Sequence, residues 1–266
     1  MWSFLFSAWR AGLRSRSVQS ILILGILLMG VAYLSASFSP RQPQTVALDV
    51  GLSGLRITLV LFALFWVQEL VAREIERRTV LFSLTYPIAR GYYIVGRYWG
   101  VLGLLALAAV LLGLMLWLVV LLLGKGYEQG FPVALGVPYW NTVAGLWVDA
   151  AVVAAFAFWV STFSTVPMLP LALGLAFAVA GKSLGIVVEY LAKGADGDPD
   201  LLRLAPLIDV IQWVLPDLSR LDFRAWPMYN LAPASQAVGL GLLMAASYAA
   251  LLITLAVLTF TRRDFE

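Results

Sequence analysis

The 266-residue chain has no cysteine and no histidine. The first absence excludes disulfides and thiol nucleophiles, and the second excludes imidazole bases; together they remove most zinc and copper sites. Charge is scarce too. Only 12% of the residues are charged, whereas a soluble domain of this size approaches about a quarter. Signatures of catalysis are missing in the same way. H-E-x-x-H cannot occur without histidine, and Gly181-Lys182-Ser183-Leu184-Gly185 fits G-x-S-x-G only as a string, with no histidine in the chain to activate its serine. Gly181-Lys182-Ser183 resembles the end of a phosphate-binding loop, but Ala176 stands where that loop needs its first glycine. The tripeptide also lies inside an apolar run where no strand-to-helix turn is expected. The chain is read as a non-enzyme. If ATP is used, a different chain hydrolyses it.

What the chain does have is apolar length. Hydrophobic residues make up 62% of it, in runs of about 20 or more, enough to cross a hydrocarbon core. The fold class expected is an all-α membrane protein with six transmembrane helices in one domain over residues 1–266. The spans are placed at 18–38, 52–72, 93–123, 142–163, 168–190 and 235–260. Residues 1–17 put Trp2, Leu5, Phe6, Trp9 and Leu13 at helical spacing, with Arg10, Arg14 and Arg16 towards the other side. This pattern suits an interfacial helix. The arginines precede a run long enough to span, with no small-x-small site near its end, so no cleaved signal is expected.

Orientation follows from the basic residues. The three N-terminal arginines, those between 73 and 97, and Arg262 and Arg263 all fall on one side, leaving Arg41 and Lys125 on the other. Both termini are therefore expected in the cytoplasm, and the small net charge of +3 reports topology rather than nucleic-acid binding. The outer segment, 191–233, starts polar and turns apolar in short pieces broken by Pro206, Pro216 and Pro227. Such pieces cannot span, and are expected to be re-entrant or interfacial helices. Most of Trp99, Trp117, Trp140, Trp147, Trp159, Trp213 and Trp226 fall near span ends, as an interfacial belt would place them.

Two regions carry candidate function. Residues 68–92 hold Glu69, Arg73, Glu74, Glu76, Arg77, Arg78, Thr79, Pro87 and Arg90 between two apolar runs. A charged helix that turns amphipathic and breaks at proline suits a handle for a soluble partner, although solvation on the positive side explains the arginine count alone. Inside the spans, Asp149 and Lys182 fall at similar depth. A pair between them would offset both burial costs; the alternative has Lys182 snorkelling outward while Asp149 hydrogen-bonds within the bundle. Arg56 and Glu189, near predicted outer ends, are read as interfacial anchors.

In Glu76, Thr79, Leu81, Leu84, Pro87, Ile88, Arg90, Gly96 and Arg97 the chain resembles the membrane subunits of type-2 ATP-binding-cassette exporters. That family includes drug, polysaccharide and multicopper-enzyme-maturation transporters. Arg78 replaces the family's usual glycine and Arg97 its lysine. Arg262, Arg263, Asp264 and Phe265 resemble its basic ending, and residues 215–223 are similar to outer-loop sequences of the multicopper-maturation branch. The resemblance implies that the segment from 69 to 90 docks on a cytosolic ATPase. It also implies two ATPases, which hold ATP and magnesium, serving two permease copies, here a homodimer, in the cytoplasmic membrane. Rivals are an ion-gradient-driven transporter or channel and a membrane-bound enzyme or scaffold. Neither finds the discontinuous helices or clustered polar side chains it needs. With no Cys or His and six Met, the chain is poorly equipped to handle copper directly. A maturation-type role would involve another cargo or an outer partner protein docking on residues 191–233.

Overall fold

The computed structural model describes residues 15–72, 90–123, 132–166, 168–192, 210–211 and 215–262. Every regular element among these is helical. Six are long and apolar enough to cross a membrane: α1 (Arg16–Ser37), α2 (Pro43–Val67), α3 (Arg90–Leu123), α4 (Val137–Phe163), α5 (Leu169–Ala192) and α7 (Ser235–Arg262). A 3₁₀ turn (Leu218–Leu221) and the short α6 (Ala225–Tyr229) precede α7. α2 starts well before the expected residue 52, because Pro43 sits in the first helical turn. Proline is favoured there, where its missing amide costs no hydrogen bond. The expected interfacial helix over 1–17 falls almost wholly outside the described residues.

Two helices form the centre. About 67% of the apolar window of α2 and 72% of that of α4 are buried, against 28% for α1 and α5 and 22% for α7. α4 earns its place through small side chains: Ala150, Ala151, Ala154, Ala155 and Ala157 are all buried and let neighbouring backbones approach. Bulk comes from Phe62, Trp66, Tyr93, Tyr139, Phe158 and Phe260, each fully buried. Outside, the polarity of a soluble protein is reversed: Ile23, Leu27, Leu34, Leu122 and Leu243 are more than half exposed, as acyl chains require.

Polar tips inside the bundle find backbone acceptors. The Tyr139 hydroxyl donates to the Gly113 carbonyl at 2.6 Å and that of Tyr98 to Ala151 at 3.1 Å. Trp117 and Trp147 donate their indole N–H to the Leu135 and Leu102 carbonyls and brace the bundle. Such bonds are retained in an apolar medium because the unpaired alternative is costly.

The contacts sort the helix ends into two groups. At one end the Ser15 hydroxyl donates to Glu69, Tyr93 stacks on Phe260 at 5.6 Å, and Thr162 meets Thr259. Both described chain ends and the start of the 68–92 segment therefore share this end. At the other, residues 215–230 fold back into the bundle. Ala134 N–H donates to the Pro227 carbonyl, and Thr142 donates its hydroxyl to that of Phe223. Asn230, in the left-handed region at φ 54°, ends α6 and turns the chain towards α7.

Candidate functional site

The folded-back segment is the structural core of the site. It enters where helix surfaces carry glycine. A Cβ on Gly145 of α4 would lie 2.6 Å from the Leu221 carbonyl oxygen, and one on Gly185 of α5 would lie 1.9 Å from Ser219 Oγ. At Gly145 only a residue without a Cβ admits main chain this closely, and at Gly185 the missing Cβ leaves room for the Ser219 side chain. Leu218 and Leu221 are buried by the insertion. Asp217 caps the 3₁₀ turn, accepting from Ser219 N at 3.1 Å and Ser219 Oγ at 2.6 Å.

This insertion delivers Asp222 and Arg224 to charges on the spans. Arg224 donates Nε and Nη2 to the Asp222 carboxylate, both at 2.9 Å. Its Nη1 reaches Ser53 Oγ at 2.8 Å and lies 3.6 Å from Asp49 of α2. Lys182 of α5 donates its ammonium to Asp222 Oδ2. Across the bundle, Arg56 Nε of α2 donates to Asp149 Oδ2 of α4 at 2.8 Å, with side-chain exposures of 16% and 3%. Arg56–Asp149 thus ties α2 to α4, while the ion-pair chain Lys182–Asp222–Arg224–Asp49 ties α5 and the insertion to α2. Burial works to raise the Asp222 pKa, but the bonds from Arg224 and Lys182 outweigh it and hold the carboxyl well below the usual range.

This arrangement corrects the sequence reading. Asp149 and Lys182 do not pair; each takes a different partner. Arg56 is no anchor at a helix end, since about 20 Å of helix separates it from Pro43. Lys182 does not snorkel free either, because Asp222 comes down to meet it. Gly181-Lys182-Ser183 lies within α5, with no loop to wrap a phosphate. One acceptor is left over: Asp149 Oδ1 is buried without a hydrogen-bond partner among the described residues.

No family model matches the chain. It is similar to a probable ABC transporter permease protein NosY from Stutzerimonas stutzeri, 31% identical over 137 residues, 49% of each chain. A protein of the same name from Pseudomonas aeruginosa is 30% identical over 117 residues, 42% of each chain. Over these stretches, the chain is related to ABC transporter permeases. The matched stretches span about half the length of these curated relatives. With six spanning helices besides, it is a multi-pass membrane protein.

The 68–92 segment is only partly described. α2 loosens at its end into a π-helical turn, Gln68–Ala72. There Glu69 accepts the Ser15 hydroxyl, and Gln68, buried, donates to the Met168 sulfur at 3.1 Å. The turn is thereby fixed to the start of α1 and to the head of α5. Arg90 opens α3. Arg73, Glu74, Glu76, Arg77, Arg78, Thr79 and Pro87 lie outside the described residues. Arg56, Asp222 and Arg224 are the site residues that sequence reasoning missed. The available signal was Arg56 beside Gly51 and Gly54 in an apolar run, a charge too deep to be idle once α2 is extended back to Pro43.

Proposed function

We propose that the chain is the membrane subunit of an ATP-driven ABC exporter of the cytoplasmic membrane, powered by a separate cytosolic ATPase. The observation that carries this reading is the relationship to ABC transporter permeases. The position of the 68–92 segment supports it, because its described start, Gln68–Ala72, lies at the end shared by both described chain ends. The positive-inside bias of 73–97 and 262–263 puts that end in the cytoplasm. Glu69 through Arg90 forms the coupling segment, with charges that set register on the ATPase. The π-turn joined to Ser15 and Met168 passes its displacement to α1, α2 and α5. ATP and magnesium bind in the partner, and two ATPases serve a homodimer of this chain. The inserted segment faces the extracytoplasmic side, where a partner protein docks.

The test is a gentle-detergent pull-down of the tagged full chain from cells expressing its native neighbours, followed by mass spectrometry and an ATPase assay. A near-equimolar chain with a phosphate-binding loop and vanadate-sensitive activity is expected. An inactive homo-oligomer whose reconstituted flux needs an ion gradient and no ATP would replace this reading with a gradient-driven transporter.

A further inference from the structure

Beside the ion-pair chain lies a cleft of about 270 Å³ between α2 and α5. Its walls are apolar, from Ile57, Val60, Leu61, Leu175, Ala178 and Val179, while Arg56, Lys182 and Ser183 supply its polar part. Ile57, Leu175 and Val179 are 53%, 41% and 60% exposed, so the cleft opens sideways from the bundle towards lipid.

The cations lining it have donors to spare. Arg56 spends only Nε on Asp149, and its terminal guanidinium nitrogens make no hydrogen bond among the described residues. These nitrogens are not sealed in the protein, since the buried atoms without a partner are found elsewhere. Lys182 gives one bond to Asp222 and keeps further N–H groups. The Ser183 hydroxyl is exposed and makes no bond among the described residues. No protein acceptor among the described residues takes up these donors. In an apolar medium unsatisfied N–H groups are expensive, and a multi-oxygen anion is the ligand that satisfies several at once.

We propose that this cleft is a binding site for a membrane lipid with an anionic phosphate headgroup. The phosphate oxygens accept from Arg56, Lys182 and Ser183, and one acyl chain lies along Val60, Leu61, Ala178 and Val179. The apolar walls favour a lipid over a free anion, because only a ligand with a tail can cover Val60, Leu61, Ala178 and Val179 while its phosphate meets the cations. The two cations have carboxylate partners, so the attraction rests on directed donors rather than net charge. Phosphatidylcholine shares the phosphate but already pairs it with its own trimethylammonium, which makes its phosphate oxygens weaker acceptors for these donors. The site does not depend on the transport reading and stands or falls separately.

The test uses the full chain in phosphatidylcholine vesicles, with trace phosphatidylglycerol bearing a photoactivatable group on its acyl chain. Labelling is expected in residues 57–61 and 175–179, at least fivefold above that from the same probe with a choline headgroup. Unlabelled phosphatidylglycerol should compete, and millimolar inorganic phosphate should not. Arg56→Gln/Asp149→Asn, which keeps a neutral pair, should abolish the headgroup preference. Val179→Trp, at an exposed wall position, should block labelling without touching the charges, and decides the matter if the charge variant does not fold. Equal labelling by both headgroups would reduce the cleft to ordinary lipid contact. Displacement by inorganic phosphate would make it an anion site without a lipid, and full labelling of Val179→Trp would place the lipid elsewhere.

Discussion

Replacing Asp149 with leucine tests whether the Arg56–Asp149 pair is a structural requirement or an incidental contact. The substitution preserves bulk in a core where the carboxylate is 3% exposed, and leaves Arg56 without its counter-charge. Removing one member of a buried pair typically costs about 3–5 kcal/mol, because the remaining ion keeps its desolvation penalty. Arg56 is 16% exposed and lines the cleft, so its terminal nitrogens find partial relief there. The lower end, about 3 kcal/mol, is therefore expected for Asp149→Leu. Arg56→Met/Asp149→Leu removes both ions and the unpaired Asp149 oxygen together, and should return to within about 1 kcal/mol of the parent. The coupling between the two sites is then about 2 kcal/mol or more, well beyond the error of a double-mutant cycle. The assay is equilibrium unfolding of the full chain in mixed micelles of increasing SDS fraction, followed by tryptophan fluorescence. A stable Asp149→Leu single variant, or a double variant that loses the sum of the singles, would refute the reasoning.

The close approach at Gly145 predicts a change of sign between two glycines. Gly145→Ala should destabilise by about 1–3 kcal/mol in that assay, since its Cβ meets the Leu221 carbonyl; Gly30→Ala on α1 meets open space and should be neutral or stabilising by up to about 1 kcal/mol. Because Asp222 is held below its unfolded pKa, its contribution is present above about pH 4 and is lost as pH falls further. Unfolding midpoints between pH 3 and pH 7 should therefore drop on the acid side, and Asp222→Asn should flatten that drop; an unchanged profile would remove Asp222 as its cause. Reversing the charges at Glu76 and Arg77 should abolish ATPase coupling while leaving unfolding midpoints unchanged, and normal transport by the double variant would refute the coupling assignment.

The six spans were legible because length and apolar content are one-dimensional properties. α5 and α7 begin within a residue of the expected positions. α2 was placed late because Asp49, Gln42 and Gln44 look like loop when read locally. In the fold, Asp49 lies near Arg224, and Gln44 donates to the Val120 carbonyl at 3.4 Å. That one error moved Arg56 from mid-helix to a supposed boundary, and made Lys182 the only visible partner for Asp149. The true partners could not be read from spacing. Asp222 reaches Lys182 only because 215–224 enters the bundle, where Gly145 on α4 leaves room for the Leu221 carbonyl and Gly185 on α5 leaves room for the Ser219 side chain. A glycine in a membrane helix reads equally well as a helix-packing position, so its meaning depends on which chain segment arrives opposite it.

The ion-pair chain bears on how the proposed machine would move. Arg56 sits on α2 and Lys182 on α5, while their carboxylates sit on α4 and on the inserted segment. The π-turn at the start of the proposed coupling segment touches α5 through Gln68 and Met168, and α1 through Glu69 and Ser15. If an ATPase displaces α2 and α5 relative to α4, both pairs must stretch together, and α4 is too closely packed through its buried alanines to follow. Two part-buried pairs then act as a latch with two discrete arrangements, paired and separated, rather than a graded restraint. Neutralising the latch with Arg56→Met/Asp149→Leu should leave the folded chain as stable as the parent. In the reconstituted complex it should raise ATP hydrolysis in the absence of cargo, since less work then opposes each displacement. Unchanged basal hydrolysis, with the ATPase bound and active, would show that α2 and α4 move as one body and that the pair is only a strut.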